Sequence, residues 1–164
     1  MTVLPDILKP NLKVVFCGTA VGTRSAEVGV LRRLGQPVLG CALAHSSYAR
    51  RTTQARGLSQ VARVWHRSDR SGEGSLRADN SINTSDYDVA GFLSKIKQFT
   101  PKILAFNGKR AACAFYGCKR VDYGRQSEPL GRTAVFVLPS TLGAARRYWK
   151  ESHWRGLAKC ASDS

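Results

Sequence analysis

Acidic residues are scarce in this chain of 164 residues. Asp and Glu total 11 against 26 Lys and Arg, a formal charge of 26 − 11 = +15 with histidine neutral. That surplus points to a polyanionic partner, nucleic acid first. No apolar run approaches the ~20 residues that cross a bilayer, so no membrane-spanning helix is expected. The start, MTVLPDILKPNLK, lacks a basic stretch followed by an apolar one, and no secretory leader is expected. Zinc and iron–sulfur spacings are also missing. The five cysteines, Cys17, Cys41, Cys113, Cys118 and Cys160, form an odd, scattered set. They read as reduced thiols in a cytoplasm, with no metal. His45, His66 and His153 are equally dispersed and read as packing or surface residues. Hydrophobic residues make up 43% of the chain and charged residues 23%, which suits one globular domain. A domain of this length buries roughly 70% of its unfolded surface.

The two ends are regular. Leu12 to Cys17 is a short, β-branched run of buried-strand type. Gly18-Thr19-Ala20-Val21-Gly22-Thr23-Arg24-Ser25 follows, and its glycines allow backbone N–H groups to approach a ligand. Further on, Ser85 is placed to cap a helix with Asp86 and Asp88 in its first turn. Val89, Phe92, Leu93, Ile96 and Phe99 follow at helical spacing, and Pro101 closes the segment. Ile103 to Phe106 predicts a second buried strand, ended by Asn107-Gly108. Lys109 to Tyr116 predicts a short helix with Gly117 behind it. Ala134 to Leu138 predicts a third strand, ended by Pro139-Ser140-Thr141-Leu142-Gly143. A last helical stretch carries Arg146, Arg147, Tyr148, Trp149 and Trp154, the two tryptophans reading as core. Strands alternating with helices predict a parallel sheet covered on both faces. Ligands of such sheets sit beyond the carboxyl ends of the strands, so the three loops converge on one site.

Residues 27–76 break this pattern. No lysine lies between Lys13 and Lys95, no phenylalanine between Phe16 and Phe92, and no isoleucine between Ile7 and Ile82. Arginine is plentiful there, and neither a helical nor a strand period stands out. Either this is a basic, disordered DNA-binding insertion, or it was never selected as protein sequence.

The ends resemble the mismatch-specific uracil/thymine-DNA glycosylases, a branch of the uracil-DNA glycosylase superfamily. The resemblance rests on LPDILKPNLKVVFCGTAVGTRSA at the start, KILAFNGKRAA from Lys102, YGRQ from Tyr123 and VFVLPSTLGAARRYW from Val135. It covers roughly two thirds of the chain in the family's order and spacing. It implies a three-layer α/β/α sandwich around a short parallel sheet, forming a single domain over 1–164. It also implies a monomer without cofactor or metal, acting on double-stranded DNA that contains uracil or a mismatched thymine.

Two strings that the family expects, one like AYYAGPGNRFW and one like GIGLTDLAK, are missing. The genetic code supplies both. Codons for Val30 to Leu39 can be chosen so that a one-base shift reads YYAGSGNRFW. In the same shift, Val61 to Gly74 can read LLEFGIGLTDLAKG. We read residues from about 27 to about 74 as an out-of-frame translation, with the frame restored before Asp79.

A glycosylase must extrude a nucleotide, hold its base and cleave the N-glycosidic bond. The resemblance places Gly18, Thr19, Ala20, Val21 and Gly22 as backbone donors to the departing base. Relatives read like GINPG there, and their Asn positions the attacking water; the matching residue here is Ala20. A second candidate for that work, the Asp of GLTDL, falls in the missing string. Asp69 and Glu73 are the acids nearest in sequence. Ser25, Asn107 and Tyr123 are candidates for the base pocket. Asn107 either contacts the base or shapes the turn, and Tyr123 either stacks on a base or packs. Arg24, Lys109, Ser140, Thr141, Leu142, Gly143, Arg146 and Arg147 are candidates for DNA contact. Leu142 is placed as the wedge, and Lys109 either binds phosphate or caps its helix.

Reading the gene across codons 24 to 82 tests the frame directly. The shifted frame should contain the GNRFW and GLTDL strings. A shifted frame without them makes residues 27–76 a genuine basic insertion and favours a non-catalytic DNA-binding module.

Overall fold

The structure, a computed structural model, describes residue 8 and residues 10–18, 61–65, 87–140 and 147–163. Five strands form one sheet. They are β1 (Val14–Gly18), β2 (Val61–Trp65), β3 (Ile103–Asn107), β4 (Gly124–Arg125) and β5 (Ala134–Leu138). Their order is β2-β1-β3-β5-β4, parallel except for β4, which runs antiparallel to β5. Three described helices accompany it: α1 (Val89–Phe99), α2 (Lys109–Tyr116) and α3 (Glu151–Ser162).

Alternation along each strand sends side chains to both faces, and both are covered. On one face Val15, Cys17, Leu104, Phe106, Val135 and Val137 pack against Phe92 and Ile96 of α1 and Ala111 and Ala112 of α2. On the other, Val14, Phe16, Ile103, Ala105, Phe136 and Leu138 pack against Trp154, Leu157 and Ala161 of α3. The result is the three-layer α/β/α sandwich expected from the sequence. Helices of 8 to 12 residues are marginal alone, so burial on these faces holds them. Each fully buried large side chain contributes about 1.5–3 kcal/mol.

The helix signals hold with two corrections. Asp88, not Ser85, caps α1: its Oδ1 accepts from the Gly91 N–H at 2.9 Å. A carboxylate caps as well as a hydroxyl, and Asp88 stands directly before the first helical residue. Ser85 and Asp86 lie outside the described residues. The last helix starts at Glu151, later than expected, because Lys150 is extended (φ −133°, ψ 110°) and interrupts the run. Arg147, Tyr148 and Trp149 therefore precede α3. Trp154 is fully buried, as expected, and Trp149 is half-buried against it with ring centroids 5.7 Å apart. The helix expected from Lys109 to Tyr116 is found, closed by left-handed Gly117 (φ 62°).

The middle segment contributes a strand that the sequence reading missed. β2 pairs in parallel with β1, Val14 opposite Val61 and Gly18 opposite Trp65. The rest of 27–76 lies outside the described residues.

Thr133 ties the sheet to the turn before β3. Buried, its hydroxyl donates to the Pro101 carbonyl at 2.6 Å. Thr133→Val keeps the shape and removes the donor. It should cost about 1–3 kcal/mol in urea unfolding with an unchanged m-value; wild-type stability would show that the carbonyl does not depend on this hydroxyl.

Candidate functional site

The ladder fixes where three strands end. Cys17 lies opposite Phe106, Phe106 opposite Val137, and Asn107 opposite Leu138. Gly18, Asn107 and Leu138 therefore finish level, and the chain leaves all three on the same edge. The Gly108 N–H donates to the Leu138 carbonyl at 2.9 Å, holding the loop after β3 against the end of β5. Gly108 has φ 109°, which only glycine adopts readily, and a Cβ there would stand 3.4 Å from the Ser140 Cβ. Asn107, Lys109 and Ser140, all half-buried, thus meet at the carboxyl end of the sheet.

Tyr123 joins them from the edge. Gln126 holds its turn: Nε2 donates to the carbonyls of Asp122 (3.0 Å) and Gly124 (3.1 Å), and its backbone N–H donates to Val135 (2.8 Å). Gly124, at φ 105°, lets the chain turn directly into β4. The Lys109 ammonium sits 4.4 Å from the Tyr123 ring centroid. The His153 ring, in the first turn of α3, lies 5.6 Å from the same ring. Burial first, and then nearby Tyr148, push the Tyr123 hydroxyl above its usual pKa. It therefore remains a neutral donor through the physiological range.

On the far side of the site, the Trp154 indole N–H donates to the Pro139 carbonyl at 3.1 Å, pinning the start of the loop after β5 to α3. Arg147 is exposed, with its guanidinium 5.8 Å from the Tyr148 ring centroid. Among the described residues, no group of three or more metal-ligating side chains occurs.

Of the residues singled out from sequence, Gly18, Asn107, Lys109, Tyr123 and Ser140 are placed around this end of the sheet. Arg147 stands exposed before α3. Thr19, Ala20, Val21, Gly22, Arg24, Ser25, Thr141, Leu142, Gly143 and Arg146 lie outside the described residues, as do Asp69 and Glu73. Tyr123 also packs against the core cluster beneath it, which favours the packed reading of that ring. Sequence reasoning missed His153 and Gln126. Gln126 stood within the YGRQ string without a role, and the proximity of His153 to Tyr123 depends on the packing of α3.

No family model matches the chain. Among solved structures, it resembles the solution NMR structure of a "putative Uracil DNA glycosylase" from Methanosarcina acetivorans. The match has a TM-score of 0.54 at 20% identity and covers 96% of this chain and 96% of that one. The two chains share a fold. At this identity, the likeness establishes architecture and leaves chemistry to the residues themselves.

Proposed function

We propose that this chain is built as a DNA glycosylase that takes uracil, or mismatched thymine, out of duplex DNA. The observation that carries the reading is the meeting of Gly18, Asn107, Lys109 and Ser140 at one end of a sheet with a uracil-glycosylase-like fold. The net charge of +15 fits the substrate.

Cleavage of the N-glycosidic bond leaves negative charge on the base and cation-like character on the sugar. Backbone N–H groups in the loop from Gly18 to Gly22 are assigned to the base oxygens, where fixed donors lower the barrier. Asn107 is assigned to the base edge. Lys109, Arg24, Arg146 and Arg147 are assigned to phosphates, and Leu142 to the space that the flipped nucleotide leaves. The reaction consumes water and calls for no cofactor. The chain acts as a monomer in the cytoplasm.

A second reading is favoured by Ala20. Its methyl group cannot orient water, so the chain as written binds DNA without turning it over efficiently. The out-of-frame account of residues 27–74 explains the same deficit, since the GLTDL string lies inside that segment.

Incubation with a uracil·guanine duplex, followed by detection of free uracil, tests the reaction; a cytosine·guanine duplex is the control. Free uracil from the first duplex alone supports the glycosylase. Tight, salt-sensitive binding without uracil release identifies the binding module. Binding indifferent to salt contradicts both readings.

A further inference from the structure

Lys109 is the first residue of α2 and stands at the end of β3. Among the described residues no carboxylate pairs with it. Its ammonium instead lies over the face of Tyr123 at 4.4 Å, well inside cation–π range. Tyr123 is itself fixed from three sides. Gln126 ties down the backbone around it, the core cluster lies beneath it, and His153 flanks its ring. Such a ring has little freedom. A lysine stem has a great deal, and ordering it on contact with a ligand is costly.

We propose that Tyr123 is a positioning residue. It holds the Lys109 ammonium, which no carboxylate among the described residues pairs with, at the carboxyl end of the sheet, ready to meet a DNA phosphate. His153 buttresses the ring and links the loop after β3 to α3. The phosphate half of this inference rests on the glycosylase reading; the Lys109–Tyr123 contact does not. The hydroxyl is dispensable for positioning, because the face of the ring makes the contact. Without the ring, the same charge should still reach the phosphate, at the cost of ordering its stem upon binding.

Five proteins test this: wild type, Tyr123→Leu, Tyr123→Phe, Lys109→Gln, and the Leu and Gln changes combined. The Lys109 Cε–Hε cross-peak, identified by its loss in K109Q, should be shifted upfield by the ring in wild type and Y123F, and should move to the free-lysine position in Y123L. Y123L should bind a uracil·guanine duplex about two- to fivefold more weakly, the worth of an exposed cation–π contact. Its salt slope should be that of wild type, since the number of charges is unchanged. K109Q should lower that slope by about 0.9. In the K109Q background, Y123L should have no further effect on binding. Y123F should bind like wild type, which a merely misfolded Y123L cannot mimic. A duplex affinity unchanged in Y123L, or an equal loss in the two backgrounds, overturns the inference. A Lys109 cross-peak without ring shift in wild type overturns it as well. Failure of wild type to bind duplex at all overturns the glycosylase reading, and the phosphate role with it.

Discussion

Three parallel strands end level because their ladder admits one register. The pairing of Cys17 with Phe106, and of Phe106 with Val137, puts alternate side chains on the two covered faces. A slip of one residue in any strand would send each side chain to the opposite helix layer and break the packing on both faces. The same register brings Gly18, Asn107 and Leu138 to one edge. The hydrogen bond from Gly108 to Leu138 and the one from Trp154 to Pro139 hold the residues that directly follow β3 and β5. Burial thus determines the position of the polar groups, although none of them takes part in the core.

β1 is an interior strand and needs a neighbour on each side. β3 supplies one, and β2, from the anomalous middle segment, supplies the other. An unpaired edge there would leave a row of backbone donors and acceptors open. Val61–Trp65 coincides with the start of the string that the shifted frame would read as LLEFG. A strand at this point in the chain is therefore compatible with either frame. The water-activating chemistry expected just after it is not.

Much of the scaffold was legible. LKVVFC, ILAF and AVFVL are short apolar runs followed by turn residues, and each became a strand of the parallel sheet. Gly117 marked the end of α2 correctly because a left-handed residue closes that helix. The two elements missed were weak signals for physical reasons. VARVW carries an arginine mid-strand, inside a stretch without hydrophobic contrast. β4 is two residues long, Gly124–Arg125, and has no burial pattern to read. The start of α3 was placed too early because aromatic spacing continues through an extended Lys150. At the site, Asn107, Lys109 and Ser140 were recoverable because each follows a strand. The Lys109–Tyr123–His153 contact was not, because it joins residues 44 positions apart through the packing of an edge strand and a terminal helix.

In the proposed reading, the ends of the chain frame a uracil-excising site, and its missing chemistry belongs to the middle segment. The most direct measurement compares single-turnover uracil release by two proteins, the chain as written and the same chain with residues 27–74 translated in the shifted frame. The account predicts release by the restored protein at least a hundredfold faster, the order of magnitude that positioned acid–base groups contribute. Equal rates, or a restored protein that releases no uracil, would contradict it.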